Sequence, residues 1–250
     1  MALFSRRVLT ESVAREQITA LSEFDDGLIR PDKCSEFEPI RAPFDPADIR
    51  EPVRWLAKPN GEFLYKKGKP VYASGEIWNL IRSRDARFPA GPFTNYWTGR
   101  FDGEWAGRVG IEKVRDFVCE MFRGTASDFG FLADVTELKA KNTVATSYSY
   151  MGMRMESGVP GLYWVNLFSD QFARWLELET FPKELAVVET LVGGGVLLMF
   201  GASPDQCKSV KVLQRQRAAI DWLGPEKFFD IHAPNRKAET PDWINIPLPL

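Results

Sequence analysis

Histidine is almost missing from this 250-residue chain: His232, in "FFDIHAPNRK", is the single one. A Ser-His-Asp triad, a Cys-His pair or a multi-histidine metal site would all have to run through it. No GxSxG or HExxH pattern accompanies it, so it is expected in a loop or in the core. Cysteine is scarce too. Cys34, Cys119 and Cys207 are far apart, odd in number and form no CxxC pair, which argues against a disulfide framework or a structural zinc site and for reduced thiols. No apolar run approaches the roughly 18 residues that span a bilayer. The N-terminal "MALFSRRVLTESVAREQ" lacks the apolar stretch of a signal peptide. The expectation is a cytoplasmic protein with no membrane partner. A basic excess is also absent: the net charge is −2 and the pI about 5.7, so electrostatic tracking of nucleic acid is not expected.

What the chain does contain is 44% hydrophobic and 13% aromatic residues, enough for a full core. Residues 10–22 place Ala14, Ile18 and Leu21 at helical spacing, with Thr10 or Ser12 as N-cap. Pro39, Pro43, Pro46 and Pro52 then exclude a long helix, leaving a short turn at "DPADIRE" with Pro46 at its first position. The stretch 58–82 reads as short strands, with Asn60-Gly61 as a hairpin signal. The aromatic-rich run 87–107 reads as a long loop. Residues 111–123 form the clearest helix, with Val114, Phe117, Val118, Met121 and Phe122 on one stripe. The stretch 136–151 suggests a strand, and "GLYWVNLF" (161–168) a strand buried on both faces, inside which Asn166 must find partners. Ser169 or Asp170 caps a short helix, "QFARWLEL". A hairpin turns at Gly193-Gly194-Gly195. Residues 205–223 read as a basic helix with Val210, Leu213, Ile220 and Leu223 inward. Helices and hairpins without β-α-β alternation imply an α+β fold, a largely antiparallel sheet packed with several amphipathic helices. Residues 1–250 are read as one continuous domain, with two similar lobes as the alternative.

Few constellations carry chemistry. In "DVTELKAK", Glu137 and Lys139 match the ExK half of a metal-dependent nuclease core, with Asp128 or Asp134 upstream. Two acids would hold a divalent cation there and the lysine would aid the attacking water. Charged residues alternating on a solvated strand give the same pattern. "DGEWAG" sets Asp102 and Glu104 two apart and "GEIW" adds Glu76; such acids serve acid–base work or simply line turns. "VGGGV" lacks the lysine of a phosphate-binding loop. Lys208, Lys211, Arg215 and Arg217 read as a solvated helix face. No catalytic residue, metal site or cofactor is assigned, and the chain is not expected to be an enzyme.

Four phrases in order, "CSEFEPIRAPFDPADI", "PGLYWVNLF", "GGGVLLMF" and "WLGPEKFFD", resemble the immunity protein 52 family of bacterial polymorphic toxin systems, over roughly residues 25–230. The resemblance implies a small antidote that binds and neutralises a cognate toxin, often a nuclease effector of a type VI secretion system. It carries over no catalytic residues. A nuclease presents a basic cleft, so acidic groups beside aromatic anchors are the expected contacts. The segment 93–105 offers Tyr96, Trp97, Asp102, Glu104 and Trp105 for partner binding; Asp25, Asp26, Glu36 and Glu38 form a second acidic candidate. The competing expectations are a metal-dependent hydrolase built on Asp134, Glu137 and Lys139, and an adaptor that loads an effector. A homo-oligomer is compatible with either.

Overall fold

The structure, a computed structural model, describes residues 1–69, 72–79, 93, 95–102, 107, 109–144, 147–148 and 158–245. The fold is α+β, with six α-helices among the described residues and antiparallel pairing throughout the named strands whose register is defined. The described residues fall into two compact units, one drawn from 1–79 and 93–127, the other from 128–245.

The first unit contains β1 (Ala2–Ser5), α1 (Glu11–Gly27), β2 (Lys33–Ser35), β3 (Ala42–Pro43), α2 (Arg50–Ala57), β4 (Glu62–Lys67), β5 (Ala73–Asn79), β6 (Asn95–Phe101) and α3 (Ile111–Gly124). Its strands run in the order β1-β6-β5-β4-β2-β3. Thr10 caps α1 by accepting from the Val13 N–H. Val13, Ala14, Ile18 and Leu21 go inward, as the spacing predicts. In α3 the buried residues are Val114, Phe117, Val118, Met121 and Phe122, the stripe read from sequence. Helix α2 starts four residues later than Pro46 and holds Pro52 in its first turn, where a missing amide N–H costs nothing. Asn60-Gly61 is not a hairpin turn. It joins α2 to β4, and a Cβ on Gly61 would meet the Trp55 carbonyl at 2.1 Å.

Successive strand residues point to opposite faces, and the register sets Phe63, Ile77, Trp97 and Leu3 in one row. All four are buried, and the Trp97 ring meets Phe117 of α3 edge-on at 6.4 Å, so this is the helix-covered face. Gly75 and Gly99 oppose each other within it. A Cβ on Gly75 would lie 2.4 Å from the Tyr65 hydroxyl oxygen, so the glycine makes room for that ring, whose hydroxyl accepts from Trp97 Nε1 at 3.0 Å.

The second unit contains β7 (Phe129–Leu132), α4 (Val135–Asn142), the small hairpin β8 (Thr143–Val144) and β9 (Ser147–Tyr148), β10 (Val165–Phe168), α5 (Asp170–Trp175), β11 (Val187–Thr190), β12 (Val196–Met199) and α6 (Val210–Leu223). Four strands run in the order β11-β12-β10-β7. Every side chain of β10 is buried, and Ser169 caps α5 by accepting from the Phe172 N–H. The hairpin β11–β12 turns where Gly193 and Gly194 take φ of 93° and 87°, the region that favours glycine. Two expectations are corrected. Residues 136–142 are helical, with the short hairpin following, rather than one strand. Helix α6 buries Val212, Gln216, Ala219 and Leu223, whereas Val210 and Leu213 face outward. On the buried face Gln216 donates to the Glu137 carboxylate at 2.9 Å. No helix among the described residues is long and apolar enough to cross a membrane.

Candidate functional site

The face of the first unit's sheet opposite Trp97 carries a different set of side chains. Glu62 stands opposite Trp78, which stands opposite Tyr96, which stands opposite Phe4; in the next row come Leu64, Glu76 and Thr98. Trp78, Tyr96, Glu62, Glu76 and Thr98 are all half-buried. The Tyr96 ring lies 5.0 Å from that of Phe4, and Thr98 Oγ1 donates to Glu76 Oε1 at 3.1 Å. Ser35 of β2 pairs with Leu64, so the chain leaving β2 brings Glu36, Phe37 and Glu38 to the margin of this face. Phe37 is 67% exposed, and Glu36 is ion-paired with Lys58.

The electrostatics follow from that placement. Burial, then the charges of Glu76, Glu38 and Glu36, push the Glu62 carboxyl up from 4.5 to about 7. Burial and Glu76 also push the Tyr96 phenol up. The acids are partly balanced already, by Lys58 paired with Glu36 and by Lys66 and Arg100 at alternating positions of the same face. The Tyr96 phenol is buried and its ring packs on Phe4, and the Trp78 indole nitrogen is buried as well, so these rings belong to the packing beneath the acids. No group of three acidic, cysteine or histidine side chains among the described residues is placed to hold a metal ion.

The residues singled out from sequence are distributed unevenly. Glu36 and Glu38 lie near enough to Glu62 to act on its carboxyl, and Tyr96 stands two strands away on the same face. Trp97 does not: it is 1% exposed and belongs to the core, a consequence of residues 95–101 being strand β6 rather than part of a loop. Asp102 follows β6, half-buried, its backbone N–H donating to the Tyr72 carbonyl at 2.9 Å. Glu104 and Trp105 lie outside the described residues. Asp25 and Asp26 end α1 with left-handed φ of 46° and 57°, and Asp25 binds Lys113 of α3 at 2.6 Å, so it ties two helices together. Glu62 and Trp78 were not singled out from sequence. Reading 62/64/66 against 74/76/78 as alternating strand positions is the signal that points to them.

The ExK triplet resolves differently. Glu137 is buried in α4 with its side chain 2% exposed. Its oxygens accept from Lys141 Nζ at 2.6 Å, Gln216 Nε2 at 2.9 Å and the Trp164 N–H at 3.3 Å. Lys139 is exposed, and Asp134 accepts from the Thr136 N–H at 2.8 Å as α4 begins. Asp134, Glu137 and Lys139 therefore do not converge. His232 lies exposed in a turn, its N–H donating to Asp230 Oδ1 at 2.8 Å. The cysteines are unbridged, and burial pushes the Cys34 and Cys207 thiols up to about 11.

No protein-family profile matches the chain, and no curated protein matches it in sequence. Among solved structures, a T6SS protein of Pseudomonas aeruginosa is similar with a TM-score of 0.52, covering 98% of this chain and 87% of that one at 12% sequence identity. At that identity the likeness is one of fold.

Proposed function

We propose that this protein acts in a type VI secretion setting as an immunity protein, binding a cognate secreted toxin by direct contact and neutralising it without turnover. The observation that carries the reading is the acidic group at the sheet margin: Glu62, with Glu76, Glu38 and Glu36 near enough to raise its carboxyl, beside the exposed Phe37. A toxin with a basic, nucleic-acid-binding cleft is the partner whose chemistry fits it, because complementary charge speeds encounter and aromatic anchors slow release. The fold shared with a T6SS protein and the four sequence phrases noted above support the same setting. The hydrolase alternative draws no support from Glu137, whose oxygens are occupied by Lys141, Gln216 and Trp164.

The test is rescue. Co-expression with the toxin encoded beside it should restore growth, and the purified proteins should form a stoichiometric complex. Glu62→Gln combined with Glu38→Gln should slow association and flatten its dependence on salt, read at a pH where the variant and the wild type melt alike. A wild-type complex that forms yet gives no protection would favour the adaptor reading. Metal-dependent DNA cleavage by the purified protein, abolished by Glu137→Ala, would overturn the proposal.

A further inference from the structure

The second unit holds a closed polar ring that the proposed function does not use, built on a buried Glu137 and a half-buried Lys141. Lys141 Nζ has three protons to donate, and it uses them on Glu137 Oε1 at 2.6 Å, Gln216 Oε1 at 2.8 Å and the Leu162 carbonyl. Gln216 Nε2 donates in turn to Glu137 Oε1 at 2.9 Å, and the other carboxylate oxygen takes the Trp164 N–H at 3.3 Å. Each of the three side chains is thus bonded to the other two. Two stand one turn apart on α4, and the third comes from α6, 75 positions from Lys141 and 79 from Glu137 in the chain. The backbone between the two anchor points is held as well. Tyr163 N–H donates to Asn166 Oδ1 and its carbonyl accepts from Asn166 Nδ2, both at 2.8 Å, and its ring lies 5.0 Å from the Lys141 ammonium.

Such a ring is poorly suited to adding net stability. Burial holds the Lys141 ammonium below the usual lysine range, outweighing the pull of Glu137 in the other direction. What the ring does supply is a penalty for every other packing. A one-residue slip of α4 turns Glu137 by about 100°, removes it from the Trp164 N–H and strands a charge without its partners.

We propose that Glu137, Lys141 and Gln216 form a latch that selects one position of α4 against α6 and the Leu162–Trp164 segment. Its contribution is to holding α4 locally in that position rather than to the free energy of unfolding the whole unit.

Two variants test the latch. Gln216→Met keeps the ion pair and opens the ring. The triple change Glu137→Leu, Lys141→Met and Gln216→Leu replaces it with apolar groups of similar size. The readouts are the melting temperature and amide hydrogen exchange resolved by residue. In both variants the α4 amides are expected to exchange at least tenfold faster while those of α5, in the same unit, keep their wild-type rates. The triple variant is expected to melt within a few degrees of wild type. Unchanged α4 exchange in either variant overturns the latch, as does acceleration shared equally by α5. A triple variant that fails to fold also overturns it, since the ring would then act through stability.

Discussion

Trp97 shows how one residue changes meaning between chain and fold. As part of an aromatic run it invites a binding role. In the sheet its indole N–H satisfies a buried tyrosine hydroxyl at 3.0 Å, and burial pushes that phenol up. Trp97→Phe should keep most of the packing and leave Tyr65 without its donor, at a cost of about 1–3 kcal/mol. Denaturant titration checks this, and toxin affinity should not move. Glu62 behaves in the opposite way, an ordinary strand acid made unusual by its surroundings. Its carboxyl is raised from 4.5 to about 7, so between those values the folded state holds a proton that the unfolded chain has released. The linked stability is full below pH 4.5 and is lost as pH rises through 7. Glu62→Gln should therefore flatten the fall in melting temperature between about pH 5 and 7; identical pH profiles for the two proteins would contradict the assignment.

At the scale of elements, the strongest local signals hold. The stripe of α3 and the Thr10 cap of α1 depend on residues within a turn or two of each other, and both are legible in the sequence. Helix α6 is the instructive miss. Its apolar residues permit more than one inward face, and on the face that is buried Gln216 reaches Glu137 across 79 positions. The phase can be measured. Leu223→Ala empties a buried site that is 2% exposed and should cost about 2–4 kcal/mol. Leu213→Ala, on a side chain 46% exposed, should stay within about 0.5 kcal/mol. Equal costs would mean the face is wrongly placed. Strand β6 failed to read as a strand for a related reason: its alternation is broken by aromatics on both faces, Tyr96 on one and Trp97 on the other.

For the molecule as a whole, the net charge of −2 conceals a local concentration of acids on one sheet face, and the partner should respond to that local field. If an arginine or lysine of the toxin approaches Glu62, it drives off that carboxyl's proton, so binding should tighten as pH rises from 6 to 8 and release protons into the buffer. Calorimetry in two buffers of different ionisation enthalpy measures that release. The same pH series with Glu62→Gln should show none of it, and an unchanged series would place the contact elsewhere.

Length, composition and the local periodicities by themselves determined an α+β chain with a full core, two well-defined helices and a glycine-turned hairpin. Those properties depend on neighbours a few residues apart. The tertiary structure alone decided that Trp97 faces inward and Tyr96 the other side of the sheet, that Glu36, Glu38 and Glu76 come near enough to raise the Glu62 carboxyl, and that Glu137 closes a ring with Lys141 and Gln216 instead of joining Lys139. The physical reason is shared by all three. Strand register and helix packing are set by contacts between distant segments, and a carboxylate takes its character from whichever groups those contacts bring beside it.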